Sequence, residues 1–264
     1  MGRAGTRLSA ALLLAIVVGF VLAPWPLLDK LWAVGYGICP QRVSHSYFLG
    51  GQQLPVEARM MGMFAGFLLS VLTFGAVGRW RAAGLPSLPF LVLLLLFGAS
   101  MAVDGVNSTL YDLGLPTPYA PSNPGRLVTG LLMGAAMAGL LWPIWNMTAW
   151  HEASARPAPV LDRWWLVALL LLVLSVFAGV VLAGVDWLLY PVSLLITAGQ
   201  VGLLVTLGAV VAAPLLGRFQ QHPEGTRRAA DLLPLVLAGL AFAGVLLGTM
   251  SALRYAVMGT ALLL

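Results

Sequence analysis

The chain has 264 residues, of which 60% are hydrophobic and 9% are charged, and this composition excludes a soluble globular domain, in which about 25% of residues are charged. The 14 Lys and Arg outnumber the 9 Asp and Glu, but they are scattered through short connectors and form no single basic face, so no nucleic-acid partner is expected. The single cysteine, Cys39, excludes an intramolecular disulfide and a pair of thiolates.

Apolar windows define the predicted architecture. A helix needs about 20 mostly apolar residues to cross a bilayer. Seven windows reach this length: about 8–28, 60–78, 86–105, 127–149, 164–185, 190–214 and 232–254. The sequence therefore predicts an all-α transmembrane helix bundle of about seven spans, forming one integral membrane domain over residues 1–264.

The first window also has features of a secretory signal. Arg3 and Arg7 precede it, and Val21-Leu22-Ala23 offers small residues for a peptidase. Pro24 and the length of the apolar run favour a retained helix instead. Cleavage would leave six spans with the same orientation.

The distribution of basic residues predicts the orientation of the spans. With a cytoplasmic N-terminus, nine basic residues lie inside: Arg3, Arg7, Arg79, Arg81, Arg156, Arg163, Arg218, Arg227 and Arg228. Five then lie outside: Lys30, Arg42, Arg59, Arg126 and Arg254. This excess predicts a cytoplasmic N-terminus and an extracytoplasmic C-terminus, and we interpret the basic inner loops as topological anchors in preference to a lipid or partner site.

The same orientation places the two long connectors, 29–59 and 106–126, on the outer face, where their polar residues can meet. Inside the membrane, three GxxxG pairs predict close helix packing within the molecule. These pairs are Gly62 and Gly66, Gly130 and Gly134, and Gly244 and Gly248. Gln200, near the middle of the sixth span, predicts an interhelical hydrogen bond; a contact with a transported solute is the alternative.

Two polar blocks carry a family resemblance. The first runs from Cys39-Pro40-Gln41-Arg42 through His45-Ser46-Tyr47-Phe48 to Leu54-Pro55-Val56-Glu57-Ala58-Arg59-Met60-Met61-Gly62. The second comprises Asp104-Gly105, Ser122-Asn123, Arg126, Thr129-Gly130 and Gly134. Together they resemble a bacterial family of multi-pass membrane proteins, domain of unknown function 2085, over about a third of the chain. The resemblance implies a multi-pass protein of the bacterial cytoplasmic membrane.

The departures from the family pattern concern possible metal ligands. The family shows Cys-His-Gln and then Leu-Pro-Val-Cys-Ala-Arg-Cys, whereas this chain has Pro40 at the His position and Glu57 and Met60 at the later Cys positions. We predict no cofactor. A metal ion is the alternative, and its candidate ligands are Cys39, His45, Glu57 and Asp104.

What the chain retains is a charged and hydrogen-bonding cluster expected near the outer interface. Its members are Glu57, Arg59, Asp104, Asn107, Asn123 and Arg126. Each arginine is expected to find a carboxylate, with Asp104 pairing with Arg59 or Arg126, because an unpaired carboxylate at a helix end in the membrane is costly. Asn123 before Pro124 fits a helix cap. We interpret the cluster as a structural lock or a partner contact.

The leading hypothesis is a non-catalytic membrane protein, an accessory or scaffold subunit whose partners are the bilayer and other subunits of a membrane complex. The chain contains no GxSxG motif, and His151 and His222 are expected on the opposite face. Two alternatives stay open. One is a membrane-embedded, metal-assisted enzyme for a lipid-linked or periplasmic substrate, and the other is a small-solute transporter.

Overall fold

The computed structural model describes residues 3–150, 155–215 and 232–258. In these ranges the chain forms eight α-helices: α1 (Arg3–Leu22), α2 (Leu27–Tyr36), α3 (Ala58–Ala76), α4 (Leu88–Asp112), α5 (Asn123–Ala149), α6 (Trp164–Leu182), α7 (Leu189–Leu215) and α8 (Leu233–Met258). Six helices, α3 to α8, are long and apolar enough to cross a membrane, which confirms the predicted all-α transmembrane bundle. His151, Arg218, His222, Arg227 and Arg228 lie outside the described residues.

Four short strands and two short 3₁₀ helices, Val43–His45 and Asp186–Leu188, complete the described elements. β1 (Phe48–Leu49) pairs antiparallel with β2 (Gln52–Gln53), and β3 (Ala82–Gly84) pairs parallel with β4 (Arg156–Pro159). Each pair lies in connectors between helices. The first pair is a hairpin before α3, and the second joins the loop after α3 to the loop after α5.

The first predicted span differs from the expectation. α1 ends at Leu22 and α2 begins at Leu27, and the two axes differ by 118°. Pro24 and Pro26 lie in the break, where a proline cannot continue the helical hydrogen bonding. Lys30 Nζ then donates to the carbonyl of Val21, 2.9 Å away, which satisfies part of the α1 C-terminus. The start of the predicted connector is therefore helical.

The centre of the bundle is the contact between α3 and α5. A Cβ on Gly62 would clash with the carbonyl of Leu127, and one on Gly130 would clash with the carbonyl of Arg59. Gly66 and Gly134 make equally close backbone contacts. The two helices thus approach at four glycines, as predicted from their GxxxG pairs.

The third GxxxG pair does not pack as predicted. No described atom lies within 4 Å of the Cβ position at Gly244 or Gly248. α8 instead meets α7 through Gly239, whose Cβ would clash with the carbonyl of Val205. The face of α8 that contains Gly239 is therefore the packed face, and Gly244 and Gly248 point away from the described helices.

Gln200 makes the expected interhelical bond. Its side chain is 1% exposed, and Nε2 donates to the carbonyl of Val34 at 2.7 Å. This bond joins α7 to the C-terminal part of α2. The Gln200 amide is therefore paired within the protein, as the sequence predicted when it indicated an interhelical hydrogen bond.

The two ends of the bundle have different chemistry. The cap end comprises residues 37–57, 113–122 and 183–188 together with the adjoining turns of the helices, which include Arg59, Asp104 and Arg254. The arginine-rich end comprises residues 77–87 and 155–163. The two long connectors meet at the cap end, as predicted, because Asn123 Nδ2 donates to the carbonyls of Ser44 at 3.3 Å and Ser46 at 3.4 Å.

We expect Gly130→Ala to lower the free energy of unfolding by about 1–3 kcal/mol, because the new methyl group would be forced against the backbone of α3. Gly244→Ala is the matched control and should leave stability unchanged or slightly raised, since its Cβ faces open space. Denaturant unfolding of the detergent-solubilised protein measures both. Equal losses for the two variants would contradict the described packing.

Candidate functional site

A tight hairpin positions the first connector of the cap end. Gly50 and Gly51 link β1 to β2 with φ values of 56° and 72°, the positive angles that a two-residue hairpin turn requires. The backbone N–H of Gly50 donates to Asp186 Oδ1 at 2.9 Å, which holds the hairpin against the 3₁₀ helix that precedes α7. Beside it, Gln53 Nε2 donates to Ser46 Oγ at 2.8 Å.

A buried ion pair joins the helices below this hairpin. Arg59 Nη2 on α3 lies 2.5 Å from Asp104 Oδ2 on α4, and it also donates to Ser108 Oγ at 2.8 Å. Asp104 is 3% exposed. Its Oδ1 accepts from the Tyr119 hydroxyl at 3.0 Å, and its Oδ2 accepts from Thr129 Oγ1 at 3.4 Å. Asp104, on α4, therefore binds residues of two other helices, α3 and α5, and of the second connector, and of the two predicted partners it pairs with Arg59.

α4 is longer than the sequence indicated. The predicted span ends near residue 105, whereas α4 continues to Asp112, so Asp104 lies inside the helix. The added turns contain polar residues that face the protein. Asn107 is buried, and its Nδ2 donates to the carbonyl of Tyr119 at 2.9 Å. Because the Asn107 side-chain N–H and Ser108 Oγ have partners within the protein, the helix continues through a sequence that hydropathy alone would end.

Arg126 departs from the prediction. Its side chain is buried near the start of α5, and Nη1 donates to Asn123 Oδ1 at 3.0 Å. Within the described residues, no carboxylate lies within 4.0 Å of this guanidinium, so the predicted ion pair of Arg126 is wrong. Asp104 is engaged by Arg59, which leaves Arg126 with an amide oxygen as its partner.

The cap of α5 is also one residue earlier than predicted. Ser122 is the N-cap residue, and its Oγ accepts a hydrogen bond from the N–H of Gly125 at 3.3 Å. Asn123 is the first helical residue, which leaves its side chain available to hold the opposite connector and Arg126. Asn123 thus takes part in the cluster through its side-chain contacts and not through capping.

A second charged group lies nearer the surface and includes two residues that the sequence reasoning missed, Arg42 and Asp112. Arg42 Nε lies 3.0 Å from Glu57 Oε1, and Arg42 Nη1 lies 3.1 Å from Asp112 Oδ2. His45 faces the same two carboxylates, with Nδ1 3.8 Å from Glu57 and Nε2 3.8 Å from Asp112. Arg42 lies within the first sequence block but was not assigned to the cluster, whereas Asp112 was missed because α4 was expected to end earlier.

The environment of His45 favours its neutral form. Burial, together with the positive charges of Arg126 and Arg42, lowers the pKa of the His45 imidazole below its usual value, and the charges of Glu57 and Asp112 act against this shift. A neutral imidazole forms no ion pair with either carboxylate. Arg42 is therefore the cation that joins these two acidic groups at neutral pH.

Three of the four candidate metal ligands, Cys39, Glu57 and Asp104, are held by other protein groups. Cys39 is 1% exposed, and its Sγ accepts a hydrogen bond from the N–H of Glu57 at 3.1 Å. Burial raises the pKa of the Cys39 thiol to about 11, so the thiolate that metals bind is disfavoured. In the part of the chain that the structure describes, no three His, Cys, Asp or Glu side chains are arranged to hold a metal ion.

Comparisons with known proteins support the resemblance read from the two blocks. Residues 39–140 match the family model described as Predicted membrane protein (DUF2085), a range that contains the paired residues of both charged groups. Over 114 residues the chain is 29% identical to Uncharacterized protein MJ1492 of Methanocaldococcus jannaschii, which covers 43% of this chain and 67% of that protein. No solved structure is significantly similar to the chain.

We expect Asp104→Asn to lower the free energy of unfolding by about 3–5 kcal/mol, because it removes the charge that neutralises a largely buried guanidinium. Asp112→Asn should cost about 1 kcal/mol or less, since both members of its ion pair are accessible to solvent. Chemical unfolding in one detergent compares the two variants. A loss in Asp104→Asn no larger than that in Asp112→Asn would contradict the described pairing.

Cys39 should react slowly with a maleimide in the native protein and rapidly after denaturation, because the thiol is buried and its pKa is raised. Val43→Cys in a Cys39→Ser background provides the exposed control on the same connector. Labelling rates at pH 7.5, followed by mass spectrometry, measure the difference. Equal native rates for Cys39 and the control thiol would contradict the described burial.

Proposed function

We propose that the protein is a non-catalytic accessory or scaffold subunit of the bacterial cytoplasmic membrane, with the cap end as its extracytoplasmic face. The membrane assignment follows from six apolar helices and from the family match. The orientation is supported by the excess of basic residues in the inner connectors of the sequence. The subunit role is argued from the cap end.

The observation that carries the proposal is the internal pairing of the carboxylates. Both oxygens of Asp104 accept hydrogen bonds from protein side chains, and Glu57 and Asp112 both face Arg42. A general base needs a lone pair within reach of a substrate proton. Carboxylates engaged in this way instead hold connectors and helices in fixed positions, which is the property expected of a rigid contact surface.

The surface of the cap end supports a partner contact. Large apolar side chains are exposed around the paired groups: Val43, Phe48, Leu113, Leu115 and Trp187. They project from connectors that are held by hydrogen bonds and by a hairpin, so little conformational entropy would be lost on binding. A second membrane subunit that covers these side chains is the partner that fits this surface.

Purification from native membranes in a mild detergent should recover a partner protein at fixed stoichiometry. Leu113→Asp should abolish this association, because it places a charge in the proposed apolar contact. Leu85→Asp is the matched control at the arginine-rich end and should retain the partner. Size-exclusion chromatography with mass spectrometry measures the stoichiometry.

Two results would contradict the proposal. One is a monodisperse protein with no stoichiometric partner. The other is an enzymatic turnover that disappears in Asp104→Asn or Arg59→Ala while the fold stays intact, because that result would make the same residues part of a catalytic site.

A further inference from the structure

The loops of the arginine-rich end are held by one buried amide. Asn146 is fully buried, and its Nδ2 donates to the carbonyls of Trp80 at 3.1 Å and Ala82 at 2.9 Å. Its Oδ1 accepts from Trp150 Nε1 at 3.1 Å, and Trp142 Nε1 also donates to the carbonyl of Trp80. With β3 paired to β4, the loops after α3 and α5 form one fixed platform.

The arginine-rich end contains four arginines. Arg79, Arg81 and Arg156 lie on this platform, and Arg163 is the residue before α6. Arg79 is neutralised within the protein, because its Nη2 lies 2.6 Å from Asp162 Oδ1. The other three form no ion pair with any carboxylate of the described ranges. Three positive charges at this end are thus without a counter-charge among the described residues.

Two of these guanidinium groups are pre-oriented by the platform. Arg81 stacks on the Trp150 ring, with Cζ 4.1 Å from the ring centroid. Arg156 Nη1 donates to the carbonyl of Gly78 at 3.1 Å and keeps an exposed side chain. Stacking on a ring face leaves the N–H edge of a guanidinium available, and that edge matches the geometry of a phosphate group.

The cap end shows the contrasting arrangement. Arg42 and Arg59 bind carboxylates there, and Arg254 donates to the carbonyls of Tyr36, Cys39 and Pro40. These cap-end arginines hold the fold together. At the opposite end, Arg156 and Arg163 are exposed and Arg81 is half-buried, and none of the three has a carboxylate partner among the described residues.

Tryptophans at the arginine-rich end indicate its depth in the bilayer. Trp80, Trp164 and Trp165 are exposed, and tryptophan is enriched at the level of lipid headgroups. Exposed Leu85 and Leu88 continue the apolar surface beside them. A lipid brings a phosphate group and acyl chains to this depth together, so cationic groups next to an apolar surface match a lipid. A free phosphate ion would need only the cationic groups.

We propose that Arg81, Arg156 and Arg163 form a binding site for the headgroup of an anionic glycerophospholipid. The guanidinium groups bind the phosphate, and the tryptophans and leucines contact the glycerol and acyl chains. This site lies at the opposite end of the bundle from the cap and does not depend on a partner subunit or on the proposed accessory role.

Native mass spectrometry of the detergent-purified protein tests the site with equimolar phosphatidylglycerol and phosphatidylcholine of identical acyl chains. Phosphatidylglycerol adducts should predominate. Arg81→Gln and Arg163→Gln should each weaken phosphatidylglycerol binding about fivefold, and the double variant about 25-fold, with phosphatidylcholine binding unchanged. Among the described contacts, the Arg163 side chain makes no hydrogen bond or ion pair, so Arg163→Gln keeps the test independent of folding.

Arg7→Gln is the charge-matched control, because Arg7 is exposed on α1, outside the platform, and it should not change lipid binding. The proposal is overturned if Arg7→Gln weakens binding as much as Arg163→Gln, since net charge would then explain the preference. It is also overturned if the wild type binds both lipids equally, if the double variant binds like the wild type, or if millimolar inorganic phosphate displaces phosphatidylglycerol as effectively as the lipid itself.

Discussion

A carboxylate buried in an apolar helix bundle must be neutralised, and the arrangement of the cap end depends on neutralising Asp104. Arg59 meets it from α3, and Thr129 and Tyr119 complete the hydrogen bonds of the two oxygens. The pairing depends on the close approach of α3 to α5, where Gly130 lies directly against the carbonyl of Arg59. Charge neutralisation therefore depends on helix packing. We expect a residue larger than glycine at position 130 to move the backbone of Arg59 and so to disturb its pairing with Asp104.

The two ends of the bundle use arginine differently. At the cap end, arginine side chains bind carboxylates, backbone carbonyls or, for Arg126, the Asn123 amide oxygen, and the surface carries exposed apolar side chains. At the arginine-rich end, Asn146 fixes the loops, and three arginines, two of them exposed, are without acidic partners among the described residues. This asymmetry is consistent with a membrane protein that contacts protein on one side and anionic lipid on the other.

Apolar windows predicted the membrane helices but not their ends. α4 continues to Asp112 because Asn107 and Ser108 are paired inside the protein, a property that hydropathy does not register. The predicted span over 8–28 ran through Pro24 and Pro26, where the helix breaks, and the consecutive glycines Gly50 and Gly51 are a hairpin signal that went unused. Two of the three GxxxG pairs pack as expected. The partner of Arg126 and the open face at Gly244 depend on tertiary contacts that a single sequence does not specify.

The most direct measurement of this account is a double-mutant cycle between Arg59 and Asp104. The free energies of unfolding of Arg59→Met, Asp104→Leu and the double variant would be measured in the same detergent. The account predicts that the double variant is at least about 2 kcal/mol more stable than the sum of the single effects, because each single substitution leaves a buried charge without its partner. Additive effects would contradict it, since the two side chains would then not stabilise one another.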